Sequence, residues 1–298
     1  MRRFVYLLFP LLLSCGCTGV LSWSNSDQND TTPPGNAPTA ATAAADAYLL
    51  SAFYGLDDAL PLLARFLVCR GSLGSDGMPV IFSREIDIKT MQAGDFHVVL
   101  EDGSSGEIVC VTPAPATDSG EFRTILLIGD FGSADNQAAS VEIRGNLLSK
   151  DQRFNFRDRQ VRVTRLEDGP SLVLAEIVPP DDWELGKRAT RFPFGGGSGC
   201  PDSTRQVLRV VWSGGITKPG GGEVNDVERS AYRVLVKDNG DVLTETSPIA
   251  IGDLGDGDNN HELCLDTEAP AVRVTFPAEL VTDPREDLNP STQVTVTR

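Results

Sequence analysis

The stretch Asp253–Glu262 reads DLGDGDNNHE and places side-chain oxygens at Asp253, Asp256, Asp258, Asn260 and Glu262. Calcium takes six to eight hard oxygen ligands, and a loop of this composition can bring several of them to one ion. These five residues are therefore the candidate metal ligands, and Ca2+ is the candidate cofactor. The loop departs from an EF-hand: His261 stands where that loop turns on a glycine, and no acid occupies its twelfth position. The competing reading is a solvated acidic turn leading into the strand that carries Cys264. A second acidic loop, Asp283–Asn289 (DPREDLN), reads as another turn with some capacity for ligands.

Other groupings that could do chemistry lack the context they need. The chain has two histidines, His97 and His261. His97 falls in the strand-like run Phe96–Leu100 with Phe96 and Val98 on the opposite side, which predicts an exposed or edge-facing ring. A zinc or acid–base site would need partners that the sequence does not place beside either ring. Gly196-Gly197-Ser198-Gly199 ends at Cys200 and misses the G-x-S-x-G pattern. Asp130-Phe131-Gly132 spells a kinase triplet without a glycine loop or a catalytic loop. No P-loop or dinucleotide fingerprint is present, and no catalytic residue is assigned. Trp212 is expected in the core, whereas Trp183, flanked by Pro179-Pro180 and Asp181-Asp182, is expected in an exposed loop.

These groups sit in a chain of 298 residues with a formal net charge of -16, room for one large or two modest domains. That charge repels nucleic acid and anionic headgroups, so no nucleic-acid partner is expected and cationic partners are favoured. The N-terminus carries an export signal. Arg2 and Arg3 precede an apolar run, Phe4–Leu13, too short to span a bilayer. Leu12-Leu13-Ser14-Cys15 then resembles a bacterial lipobox, in which the cysteine becomes the lipidated first residue. This predicts a signal peptide over 1–14, lipidation at Cys15 and anchoring in the outer membrane or at the cell surface, with free secretion as the alternative. Residues 15–46, rich in Ser, Thr, Asn, Pro and Ala, form the expected disordered tether behind that cysteine.

Cys69, Cys110, Cys200 and Cys264 support export, because disulfides persist in oxidising compartments. Four cysteines allow three connectivities. Sequential pairing, Cys69 with Cys110 and Cys200 with Cys264, would give one bond to each half of the chain.

From Ala47 onward, short β-rich runs alternate with Gly, Asp and Pro turns, the pattern of an all-β sandwich. Pro79-Val80-Ile81-Phe82-Ser83, Glu85-Ile86-Asp87, Lys89-Thr90-Met91 and Asp95-Phe96-His97-Val98 together resemble the bacterial Ig-like module, over about residues 47–157. The resemblance implies a spacer or adhesive unit on an exported protein and carries no catalytic residues. Beyond Asp158 further strands are expected, among them Val161–Arg165, Leu172–Val178, Val207–Trp212, Tyr232–Lys237 and Val272–Phe276, with no helix. Along Val207–Trp212, Leu208, Val210 and Trp212 share one face and Arg209 points the other way. Cys200, Trp212 and Cys264 are similar to the Cys-Trp-Cys arrangement of immunoglobulin domains, without its tyrosine. No internal repeat stands out.

The expected fold is thus all-β, two Ig-like β-sandwich domains over 47–157 and 158–298 behind a signal peptide and tether. The expected function is that of a surface-anchored lipoprotein acting as a binding, adhesion or structural module. Its partners would be the membrane, through the lipid anchor, and a protein or glycan ligand. The alternative is an exported hydrolase acting on glycans through loop carboxylates of the second domain.

Overall fold

Sixteen strands divide evenly between two sheets in a computed structural model, which describes residues 47–60, 68–70, 72, 74–183, 185–186, 198–254 and 257–297. The expected signal peptide, Cys15, the tether and Asp256 lie outside these residues. The first sheet contains β1 (Leu49–Phe53), β2 (Asp76–Phe82), β3 (Phe96–Leu100), β4 (Glu107–Thr112), β5 (Thr124–Asp130), β6 (Gly132–Ser133), β7 (Asn136–Ile143) and β8 (Gln160–Thr164). Their order is β3-β7-β8-β1-β2-β5-β4, with β6 paired to β7. The second contains β9 (Leu172–Ile177), β10 (Gln206–Trp212), β11 (Arg233–Lys237), β12 (Leu243–Thr246), β13 (Ala250–Gly252), β14 (Asn260–Leu265), β15 (Ala271–Phe276) and β16 (Thr292–Thr297). Their order is β12-β11-β15-β16-β9-β10-β14-β13.

The two orders are the same order. When β9, β10, β11, β13, β14, β15 and β16 are matched to β1, β2, β3, β4, β5, β7 and β8, both sheets agree and β12 is an added edge strand. An immunoglobulin sandwich places strands A-B-E-D on one side and C-F-G on the other. Here β1-β2-β5-β4 and β3-β7-β8 reproduce that division, and the first strand also joins the last. β1 pairs parallel with β8 through Ala52↔Val163, and β16 pairs parallel with β9 through Val296↔Ala175. A repeat invisible in the residues is therefore plain in the strand pairing. β8, which the sequence suggests as the start of the second half, closes the first sheet between β1 and β7.

Alternation of side chains builds a separate core in each domain. Met78, Val80 and Phe82 of β2 point inward with Phe96, Val98, Val141, Phe156 and Val163. Phe82 meets Phe156 edge to face at 4.9 Å between ring centroids. In the second domain Leu208, Val210 and Trp212 turn inward onto Tyr232, Val274 and Phe276, as the alternation along β10 predicts. The fully buried Trp212 indole N–H donates to the Tyr232 hydroxyl at 2.9 Å, so the large ring is buried without an orphaned donor.

Both expected disulfides form, Cys69–Cys110 and Cys200–Cys264. Each ties the connection between the first two strands of its domain to β4 or β14, on the outside of the core. Cys69 and Cys110 pack with Leu60 and Ile128, and Cys200 and Cys264 with Val178 and Val207. The likeness to Cys-Trp-Cys does not carry over. Trp212 lies in the core on the second strand of its sheet, away from the bond, and the indole beside the disulfide is Trp183. Trp183 is half-buried, its N–H donating to the Val178 carbonyl at 2.8 Å, and not the exposed loop residue its neighbours suggest.

Among the described residues of the second half there is one α-helix, α1 (Asp226–Ala231). Asn225 caps it by accepting from the Val227 N–H at 2.9 Å, while the Glu228 carboxylate accepts from the Asn225 N–H at 2.8 Å. Six residues are too few to show a helical period, which is why the sequence pattern passes over it.

Candidate functional site

The sheets of the two domains meet back to back, and the residues expected to bind metal are found beside that junction. β10 is buried along its whole length, because one face enters the core and the other meets the neighbouring domain. Ile81 of β2 packs with Leu174 and Val211, flanked by Leu50 and Val173. Phe53 adds a deeper contact. The Cδ1–Cε1 edge of its ring lies against Gly214 so closely that a Cβ at that glycine would sit 2.5 Å from Cδ1. A Cβ at Gly55 would press the same edge, also at 2.5 Å, so the ring has little room to retreat. Gly214→Ala is expected to cost about 1–3 kcal/mol through overpacking. Thermal unfolding would measure the loss, and an unchanged Tm would mean that the Phe53 contact does not hold the domains.

Charge crosses the same surface. Arg209 is 7% exposed. Its Nη1 lies 3.4 Å from Glu176 Oε1, and its Nη2 lies 3.4 Å from Glu262 Oε1 and donates to the Ser119 carbonyl of the other domain at 2.9 Å. Burial opposes the charge, but Glu176, Glu262, Glu121 and Asp253 together raise the Arg209 pKa above its ordinary value. Arg123, from the first domain, reaches back to Glu176 Oε2 at 2.7 Å and to the Ser83 carbonyl at 3.1 Å. Gly120 permits this approach. Its φ is +92°, and a Cβ there would lie 2.0 Å from Arg209 Nη1.

Glu121 is the unusual member. It is 1% exposed; Oε2 accepts from the Asp118 N–H at 2.8 Å, and the Asp253 side chain lies within hydrogen-bonding reach of the carboxyl. Burial, then the Asp258 charge and the adjacent Asp253 side chain, push its pKa far above the ordinary glutamate value, which favours the protonated acid. The consequence for stability has a definite sign. Any stability that Glu121 lends is complete below the ordinary glutamate value of 4.5 and declines as pH rises above it. Glu121→Gln is therefore expected to raise the Tm near neutrality by an amount that grows with pH. Melting curves from pH 4 to 8 test this, and a difference that shrinks with pH would refute it.

The acidic stretch is thus only partly a loop. Asn260 and Glu262 lie in β14, paired opposite Val211 and Arg209. Asp258 folds onto its own turn, with Oδ1 accepting from the Asn260 N–H at 2.7 Å and Oδ2 from the Asn260 amide at 3.1 Å. Asp253, in the left-handed region at φ +60°, donates its N–H to the Ser198 carbonyl at 2.9 Å. The structure gathers Asp253, Asp258 and Glu262 around Glu121 and Arg209. Among the described residues no group of three or more His, Cys, Asp or Glu side chains is arranged to hold a metal ion. The second acidic loop is a turn, in which Asp283 Oδ1 accepts from the N–H groups of Arg285 and Asp287. Burial pushes the Asp283 pKa up to about 6.

The two histidines lie in different settings. His261 is buried, with Nδ1 3.3 Å from the Tyr232 hydroxyl, and burial lowers its pKa to about 4, leaving the ring neutral. His97 sits between Ser105 Oγ at 2.9 Å and Glu142 Oε2 at 3.4 Å on the outer side of β3.

Sequence reasoning did not find Glu121, Arg123 or Glu176. Arg209 did carry a signal, since a lone charge inside the apolar run Val207–Trp212 calls for a buried partner.

Two hollows open along the junction. One, of about 690 Å3, is lined by Tyr48, Arg84, Glu85, Arg123, Lys150 and Glu176 among others. Its cations are matched by carboxylates, as in the Lys150–Glu85 pair at 2.9 Å. The other, of about 140 Å3, is mainly apolar.

No protein-family model matches the chain, and no curated protein matches it. Among solved structures it is similar to the N-terminal part of the bacterial S-layer protein SbsC, at 11% identity and a TM-score of 0.28. The match covers 86% of this chain but 45% of that one. So loose a superposition says nothing about the role of either domain.

Proposed function

We propose that the protein is an exported, lipid-anchored surface module, built from two bacterial Ig-like sandwiches and serving in binding, adhesion or structural support. The observation that carries this reading is the junction. Two disulfide-bonded sandwiches share a buried surface that is apolar at Ile81, Phe53 and Val211 and charged at Arg123, Arg209 and Glu262. Such a surface holds both domains in one orientation, which suits a body that presents loops and does not suit a flexible string of modules. Disulfides agree with an oxidising compartment. Arg2, Arg3, the apolar run and Cys15 agree with export and acylation.

Labelled palmitate fed to cells expressing the chain should be incorporated, and Cys15→Ser should abolish the label. Label that survives the substitution would remove the anchor from this reading. Calcium belongs to the same proposal as a stabiliser of the 253–262 stretch. A Tm unchanged between saturating calcium and a chelator would remove it.

A further inference from the structure

We propose that the apolar hollow at the junction is a receptor for an aromatic side chain carried on a positively charged segment of a partner protein. The inference deepens the binding-module reading and rests on it. The hollow measures about 140 Å3 and is walled by both domains. Leu56, Pro79, Pro113, Pro115 and Leu126 come from the first domain, and Pro284 comes from the second. An apolar cavity of about 150 Å3 is large enough for a benzene ring. Four proline rings form flat, stiff walls whose C–H faces pack well against an aromatic face, the converse of proline-rich segments docking in aromatic-lined grooves. The backbones of Gly214, Gly215 and Gly257 complete the wall on the second domain. Ligand pockets favour such domain boundaries, and the wall here is fixed by the packing already described.

Charge selects what flanks the ring. Asp258 is part of the wall, and Asp57 and Asp283 adjoin the wall residues Leu56 and Pro284. Asp258 and Asp283 are buried and act through their field, and the nearby cation Arg285 is shared between Asp57 at 3.4 Å and Asp287 at 3.5 Å, so the surroundings keep a net negative charge. The chain as a whole carries -16, which draws basic segments toward it over a longer range. An aliphatic side chain would fill the space without the stacking, and an acidic flank would meet the rim with like charge.

The test uses the folded full chain and three labelled pentapeptides, KKWKK, EEWEE and KKLKK, followed by fluorescence anisotropy at low and high salt. KKWKK should bind saturably with a Kd of about 1 mM or tighter, a plausible range for one anchored side chain. EEWEE should bind at least about tenfold more weakly, and about 0.5 M salt should weaken KKWKK because the flanking attraction is screened. KKLKK should also bind more weakly than KKWKK. Ala114→Trp fills the hollow from its own wall and should abolish binding with the Tm retained. Should that variant fail to fold, free indole must displace KKWKK from the unaltered chain. Absence of saturation, equal binding of EEWEE or KKLKK, binding kept by a folded Ala114→Trp chain, or failure of indole to compete would each overturn the proposal. Such a result would leave the anchored module itself standing, because that reading is decided at Cys15.

Discussion

Replacing Arg209 with alanine is expected to destabilise the protein by about 3–5 kcal/mol, the usual cost of removing one partner from a buried charge cluster. The size follows from what stays behind. Glu176 and Glu262 would each lose the guanidinium that lies 3.4 Å away, and the Ser119 carbonyl would lose its donor. Arg123 can still serve Glu176, whereas Glu262 loses the ion pair that Arg209 makes with it. Arg209→Lys should recover only part of the loss, because an ammonium cannot span two carboxylates and a carbonyl as a planar fork does. Urea unfolding gives the measurement. A loss below about 1 kcal/mol would mean that the junction acids are solvated, as exposed ion pairs are, and contribute little.

Cys200→Ala with Cys264→Ala is expected to cost about 2–4 kcal/mol, since the bond closes a long loop in the unfolded chain. The sequence separation is 64 residues, and alanine suits the apolar site left beside Val178 and Val207. Because this bond lies outside the core, Trp212 should remain packed. Compared with a Trp183→Phe parent, because that indole packs beside the bond, the variant in the same background is expected to keep the near-ultraviolet dichroism of Trp212 while its unfolding midpoint falls. Loss of that dichroism under native conditions would show that the bond holds the core as well as the outer face.

Much of the fold is legible along the chain, and the reason is periodicity. Runs such as Val80-Ile81-Phe82 and Val207–Trp212, bounded by turn residues, announce strands at the positions where β2 and β10 form. Which strands are buried twice is harder to read. Arg209 faces away from its own core, as alternation requires, and only the neighbouring domain turns that outward face into a buried one. Asn260 and Glu262 look like loop oxygens because polar residues dominate the stretch, yet their backbone pairs with β10. Glu121 had no local signature at all. Its chemistry comes first from burial and then from Asp258 and Asp253, more than a hundred positions away, and no local pattern carries such information.

The parallel pairing of first and last strands also governs how each domain responds to a pull. In the first domain the chain enters along β1 and leaves along β8, side by side and in the same direction. Tension between Leu49 and Thr164 therefore slides these strands lengthwise, and their hydrogen bonds must yield together and not one at a time. The second domain repeats the geometry between β9 and β16. A chain of this build resists stretching at the seam of each sandwich, a property that counts when a body is held by one end and dragged by flow.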